Sequence, residues 1–315
     1  MCTAICRTFK GGSLIGRTMD FEAPVRFNAV YVPEGYKLMT DAFQRPVRTK
    51  YSLTGVVFEG EEAIKDGVNS CGLAGVTNMF TGFGLYAEDP EEGKMSLSSL
   101  DFFGYVLGSF ASVEEIRNHV ENFQLVTKNV DGEKIFAPDF HYMFTDPTGA
   151  CIVLEPKKGR VLLHENPLFV MTNSPGFLSM KKKTEKFFGD MSLETFMGAR
   201  SLPGGFDPVS RFIKAYDFVK MMPQRESAPE AVADAFAILE ACSMPKGFVP
   251  NRNYHYYTFT RYICVYDTEN RMLYLKNYRN PAVYALAFSD VQDKTRREEF
   301  AMDFSLQTEK FGRKS

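Results

Sequence analysis

Met1-Cys2-Thr3-Ala4-Ile5-Cys6-Arg7-Thr8-Phe9-Lys10-Gly11-Gly12-Ser13-Leu14-Ile15-Gly16-Arg17-Thr18-Met19-Asp20-Phe21 is the stretch on which the reading turns. Thr3–Phe9 and Ser13–Asp20 are extended candidates, and Gly11-Gly12 between them is a turn signal, so the segment predicts a β-hairpin. A turn centred on Gly11-Gly12 sets Cys2 opposite Phe21 and Arg17 opposite Cys6, with Asp20 beside the chain start. A register slip of one residue decides which side chains share a face, and the sequence leaves that open. Cys2 follows Met1 directly, and aminopeptidases remove Met before a small residue. The expectation is a mature chain that starts at Cys2. Such a residue carries a nucleophile and a base together, because an α-amine titrates near 7.7–8.0 and a thiol near about 8.5. A neutral amine can accept the thiol proton, which is the logic of an N-terminal nucleophile and needs no histidine. A guanidinium near the sulfur favours thiolate, and a carboxylate can orient the amine.

The composition suits this economy. The chain has 315 residues, 44% hydrophobic and 24% charged, which excludes a mainly disordered protein and leaves apolar material for a large core. Lys+Arg of 37 against Asp+Glu of 39 gives a net charge of −2, so no basic excess points to nucleic acid or an anionic membrane. The six cysteines lie at 2, 6, 71, 151, 242 and 264 with no C-x-x-C spacing. They read as reduced thiols in a cytoplasmic protein. The four histidines form no H-x-x-x-H pattern, so neither a metal nor another cofactor is expected. Arg7 and Lys10 interrupt the N-terminus before a signal-peptide core, and no run of apolar residues is long enough for a membrane span.

Further strand candidates are Tyr51–Phe58, Gly72–Met79, Phe140–Thr145, Ala150–Glu155, Arg160–Leu163 and Phe169–Thr172. Tyr256–Tyr266 and Met272–Tyr278 flank a turn at Asp267-Thr268-Glu269-Asn270, and Ala282–Phe288 follows Pro281. Helical candidates are Ser98–Phe110, a helix opened by the Ser112-Val113-Glu114-Glu115 capping box and running through about Phe123, Pro208–Met222 and Pro229–Cys242. Strands and helices come in groups rather than in βαβ alternation, which predicts antiparallel sheets with helices on their outer faces, a layered α+β fold in a single domain over residues 2–315. The Lys181-Lys182-Lys183 run reads as a solvated loop.

Met1-Cys2-Thr3-Ala4 with Gly16-Arg17-Thr18-Met19-Asp20-Phe21 resembles the choloylglycine hydrolase family, which contains bile salt hydrolases and penicillin V acylases. Asp66-Gly67-Val68-Asn69 with Gly72-Leu73-Ala74-Gly75-Val76-Thr77-Asn78 is similar to that family's second block. Met171-Thr172-Asn173-Ser174-Pro175 resembles its third, and Leu202-Pro203-Gly204-Gly205 with Ser210-Arg211-Phe212 its fourth. The resemblance implies a four-layer αββα sandwich of the N-terminal nucleophile hydrolase type. It implies Cys2 as nucleophile, Arg17 and Asp20 beside the thiol and amine, Asn78 and Asn173 as oxyanion donors, and Arg211 as a supporting arginine. It also implies a homo-oligomer, a tetramer in some members, although the segment between Asn173 and Arg211 is shorter than in Gram-positive bile salt hydrolases.

The substrate expected is a linear amide. The resemblance leans toward a conjugated bile salt, cleaved to release glycine or taurine, because bile-salt-preferring members tend to carry Asn at the position of Asn78 and penicillin-preferring ones often Tyr. Penicillin V or another N-acyl compound, such as an acyl-homoserine lactone, is the alternative. Phe21, Phe27, Met79, Phe80 and Phe83 are the candidate walls of an apolar cleft. Two rival readings are a Cys-His hydrolase using Cys71 or Cys151, which no histidine motif supports, and a binding protein without catalysis.

Overall fold

In the computed structural model, which describes residues 1–189, 202–251 and 256–308, the first hairpin turns one residue earlier than its glycine pair suggests. Cys2–Phe9 and Gly12–Phe21 are joined by Lys10 and Gly11 alone, with Gly11 at φ 96°. A two-residue loop needs positive φ, and Gly11 supplies it without a Cβ clash. Cys2 therefore faces Met19 and Ala4 faces Arg17, which corrects the register expected from a turn at Gly11-Gly12. The shift is two residues, so face parity survives and Cys2 and Arg17 still share one face.

This hairpin forms the middle of a seven-stranded sheet. Across it run Val170–Met171, Cys2–Phe9, Gly12–Phe21, Tyr256–Asp267, Met272–Asn277 and Tyr284–Ala287, with Val249–Asn251 paired to Tyr256–Asp267. A ten-stranded sheet runs Glu298–Phe300, Phe27–Val32, Leu53–Phe58, Asp66–Asn69, Ala74–Met79, Phe140–Thr145, Cys151–Lys157, Arg160–Glu165, Phe123–Leu125 and Met95–Leu97. Its pairings are antiparallel except that between the last two strands. The sheets pack face to face. The helices Pro208–Met221 and Ala228–Ala241 cover the outer face of the first, and Ser99–Ser109 covers that of the second. The result is the expected α+β sandwich of four layers. Because both faces of each sheet are covered, Cys2–Arg7 and Ser13–Asp20 are buried without alternation.

Two features position the site. Gly55, Gly67 and Gly75 sit side by side across three strands of the second sheet. A Cβ on Gly67 would lie 2.7 Å from Leu107 Cδ2, so the glycine lets helix Ser99–Ser109 settle on the strand that carries Asp66. Helix Pro208–Met221 opens with Asp207 accepting hydrogen bonds from the Val209 and Ser210 N–H groups at 3.0 Å, and Arg211 leaves its first turn toward the first sheet.

Helix Phe177–Phe188 corrects the loop read at Lys181–Lys183. Its buried positions are Phe177, Met180, Thr184 and Phe188, which is the spacing of one helical face, and the lysines project from the others. The strands that escaped the pattern are short, or like Phe27–Val32 too uniformly buried to alternate. Of the four histidines, His255 lies outside the described residues. No helix among the described residues is long and apolar enough to cross a membrane.

Candidate active site

Cys2 ends a strand flanked on both sides, and each neighbour delivers part of a site. Val170–Met171 pairs with Ala4 and Ile5 and leads into Asn173. The Cys2 backbone N–H donates to Asn173 Oδ1 at 2.9 Å. Arg211, fully buried, reaches the same place from its helix. Its Nη2 donates to Asn173 Oδ1 at 2.7 Å, while Nη1 donates to the Cys2 carbonyl at 2.6 Å and to Thr3 Oγ1 at 2.7 Å. One guanidinium thus holds both the backbone of Cys2 and the side chain of Asn173. Its planar fork allows this where a point charge would not. Burial pulls the Arg211 pKa down, and the negative charge of Asp20 and of a Cys2 thiolate pulls it back up.

The other neighbour, Gly12–Phe21, delivers Arg17 and Asp20. Arg17 donates through Nε to Asp66 Oδ2 at 2.8 Å and through Nη2 to the Tyr262 hydroxyl at 2.9 Å, and it caps the Thr77 carbonyl. Asp66 is saturated in turn by Tyr262 at 2.6 Å and Tyr266 at 2.5 Å. Burial works against the Arg17 charge, but Tyr262 and Asp66 outweigh it and hold the guanidinium pKa well above its ordinary value. Asp20 accepts from Thr260 Oγ1 at 2.6 Å and Thr18 Oγ1 at 3.3 Å, and its backbone carbonyl accepts from the Met1 amine at 3.0 Å. Burial raises the Asp20 pKa, against the pull of the N-terminus, Arg211 and the two hydroxyls.

Asn78 lies in the second sheet beside His141. Both of its amide hydrogens are engaged, by the Thr172 carbonyl at 2.8 Å and the Met171 carbonyl at 3.3 Å, while its buried Oδ1 has no partner. His141 Nε2 also meets the Thr172 carbonyl, at 3.0 Å. Behind it stands Glu155, 3.5 Å from His141, 3.4 Å from His164, and accepting from the Phe177 N–H at 2.7 Å. Burial opposes the Glu155 charge, but these three partners outweigh it and bring the pKa down to about 2. Asn173 is thereby braced from both sheets. Its own Nδ2 donates to the Met79 carbonyl at 2.8 Å, which leaves its second amide hydrogen for a ligand.

A cleft of about 770 Å3 opens onto Cys2, Arg17 and Asp20. Although Cys2 is only 2% exposed, it lines this cleft. Of the expected wall residues, Phe21 and Met79 are present. Phe27 is not: it is core, packed on Tyr262 and Phe304. Phe80 stacks on His141 at 4.3 Å and meets Phe83 in a tilted contact at 5.3 Å, and neither phenylalanine lines the cleft. Strand alternation explains the split, since Met79 and Phe80 are consecutive and point apart. The walls that sequence reasoning missed include Met19, Phe58, Leu100, Phe136 and Phe140. Asp66 was visible only as part of a motif, and Tyr262 and Tyr266 carried no signal apart from their even spacing in a strand. Among the described residues, no three or more His, Cys, Asp or Glu side chains are placed to hold a metal ion.

A sequence model for linear amide C–N hydrolases of the choloylglycine hydrolase family matches residues 2–293, and the chain belongs to that family. It is 28% identical over 307 residues to a bile salt hydrolase/transferase of Clostridium perfringens, covering 91% of this chain and 92% of that one. It is 26% identical over 299 residues to a penicillin V acylase of Pectobacterium atrosepticum, covering 86% of this chain and 76% of that one. The crystal structure of the C2A mutant of the conjugated bile acid hydrolase of Clostridium perfringens superposes with a TM-score of 0.85 at 25% identity, covering 99% of this chain and 100% of that one. The protein is accordingly a hydrolase acting on linear amides.

Proposed function

We propose that this protein hydrolyses N-acyl amides with Cys2 as an N-terminal nucleophile, and that conjugated bile salts are its substrates. The observation that carries this reading is the Cys2 backbone nitrogen bonded to Asn173 Oδ1, with Arg211 tying both together. With Met1 removed, that nitrogen becomes the free α-amine, already oriented and next to Asp20. The amine takes the thiol proton as sulfur attacks the amide carbonyl. The free N–H of Asn173 Nδ2 stabilises the tetrahedral oxyanion, a contribution of about 3–4 kcal/mol for a fixed donor. The amine then protonates the departing amine, and water releases the acyl group from the thioester. Asn78, with both amide hydrogens committed, acts as the brace of the Met171–Asn173 segment in this scheme. Arg17 keeps a positive charge beside the sulfur, fixed by Asp66.

Two observations favour a bile salt. The cleft is wide, within the usual range of ligand sites, and mostly apolar around Met19, Phe58 and Phe140. Relatives with bile salt hydrolase names also align along nearly the whole chain. Penicillin V is the second reading, supported by the acylase relative. The reading includes a cytoplasmic homo-oligomer, checked by fractionation and light scattering. The central test combines intact mass, a Cys2→Ala variant and side-by-side incubation with glycocholate, taurocholate and penicillin V. Loss of the Met1 mass, no turnover by Cys2→Ala with an unchanged melting curve, and preference for a cholate conjugate are expected. Full activity of Cys2→Ala would overturn the mechanism, and preference for penicillin V would replace the substrate.

A further inference from the structure

A second cleft, of about 560 Å3, shares only Glu22 with the catalytic one. Its charge is opposite in character. Arg26, Lys246, Arg261 and Arg279 line it against the single acid Glu22. None of these four cations has an ion-pair partner within 4.0 Å among the described residues. Arg261 shows how the crowding is tolerated. Its Nε and Nη2 donate to the Phe21 and Glu22 carbonyls at 3.1 and 2.7 Å, and its guanidinium lies 4.0 Å above the Phe259 ring. Lys246 approaches the same ring at 5.6 Å. Burial and then the neighbouring Arg279 depress the Arg261 pKa, so these like charges are felt by one another. Tyr256, Tyr257 and Tyr278 stand about half exposed around them. Exposed rings gathered about uncompensated cations are a recognition surface rather than a solvated one.

The geometry points to a binding site for an organic anion with a flat ring body, separate from the amide-cleaving centre. The aromatic walls take the ring, and Arg279, Lys246 and the Nη1 of Arg261, which has no hydrogen-bond partner among the described residues, take a carboxylate or sulfonate. The lining of the catalytic cleft has the opposite balance of charge. Glu22, Glu61, Glu62 and Asp101 outnumber its cation Lys65, and Arg17 is already paired with Asp66. The site does not depend on which amide Cys2 cleaves.

Isothermal titration with 2-naphthalenesulfonate, on protein whose Cys2 has been alkylated with iodoacetamide, tests this directly. One molecule is expected to bind per chain, before and after alkylation alike. Neutral 2-naphthalenesulfonamide is expected to bind at least tenfold more weakly. The Lys246→Ser/Arg279→Ser variant removes two exposed charges and is expected to weaken the sulfonate roughly tenfold. Raising the salt from 50 to 500 mM on the unmutated chain is expected to do the same, which keeps the test independent of how the variant folds. Loss of binding on alkylation would put the ligand in the catalytic cleft and overturn the proposal. Equal binding of the neutral analogue, or an affinity indifferent to both salt and the variant, would overturn it too.

Discussion

Asp66→Asn is the perturbation that most directly tests the described site. The substitution preserves shape and removes one charge. In the native protein the Asp66 carboxylate accepts from Arg17 through Nε at 2.8 Å and pairs with Nη2 at 2.7 Å, and it also accepts from the hydroxyls of Tyr262 and Tyr266. Neither Arg17 nor Asp66 reaches solvent. An asparagine offers one oxygen to these donors and turns an NH2 group toward the rest, so Arg17 becomes a buried charge without a counterion. Breaking such a pair costs about 3–5 kcal/mol. For a chain of this length the unfolding entropy is about 0.66 kcal/mol per degree, so the melting temperature should fall by about 5–8 °C. Tyr266→Phe is the control. It removes one hydrogen bond to the carboxylate, worth about 1.5–3 kcal/mol, and leaves the ion pair intact. Both are read by circular dichroism melts at pH 7, repeated in 0.5 M NaCl, which should change neither difference because the pair is shielded from salt. If Asp66→Asn melts no lower than Tyr266→Phe, the buried pair does not hold Arg17 in the way described.

Glu155→Gln should destabilise the protein at neutral pH. At 1.36 kcal/mol per pKa unit, depression to about 2 from 4.5 is worth about 3 kcal/mol. That stability is present above the unfolded carboxylate's pKa and lost as pH falls through it toward 2, so melts of the two proteins should converge across that window and stay apart at pH 7. Phe27→Ala should cost about 3–5 kcal/mol as a core cavity without altering KM, whereas Phe21→Ala should raise KM; the reverse pattern in steady-state kinetics would return Phe27 to the cleft. Arg211→Lys keeps the charge and loses the fork, so turnover should drop about a hundredfold with little change in KM, as expected when a positioned group is displaced. An unchanged kcat would remove Arg211 from the positioning of Cys2.

The long, strongly patterned elements were legible, and the α+β layering followed from their grouping. The helices Ser99–Ser109, Pro208–Met221 and Ala228–Ala241 stood within a residue or so of their expected ends, whereas the one opened by the Ser112 capping box stops at His119 and passes into a 3-10 turn over Val120–Asn122 instead of continuing to about Phe123. Edge strands of three residues, such as Met95–Leu97 and Glu298–Phe300, were not legible, because their pairing is fixed by the sheet they join rather than by local propensity. The helix across Lys181–Lys183 was hidden because its exposed lysines drew the eye from the buried positions around them. At the site, the chemistry-bearing types near the hairpin could be seen, whereas their supports could not. Tyr262 and Tyr266 lie some 200 residues from Asp66 in sequence, and only the stacking of two sheets brings them together. The aromatic residues misplaced in the cleft failed for a related reason: face parity along Ala74–Met79 and its continuation is decided by the partner strand.

Two buried guanidiniums approach the Cys2 terminus, and their different compensation is informative. Arg17, on the same strand face as Cys2, is neutralised by Asp66 and held by two strands of the second sheet. Arg211 has no carboxylate within ion-pair distance among the described residues, and its five-donor fork is spent on neutral oxygens of Cys2, Thr3, Asn173 and Phe206. Buried unpaired charge is costly, so this arrangement calls for negative groups at longer range, and Asp20 is the foremost of those that act on it. Burial raises the Asp20 pKa, and the N-terminus, Arg211 and the hydroxyls of Thr260 and Thr18 oppose that rise. The three groups therefore stand or fall together. Removing Asp20 should lower the Arg211 pKa further, and removing Arg211 should raise that of Asp20 further. In the proposed mechanism the Cys2 amine must both accept and return a proton, and a surround of opposed charges suits that exchange better than a fixed excess of either sign.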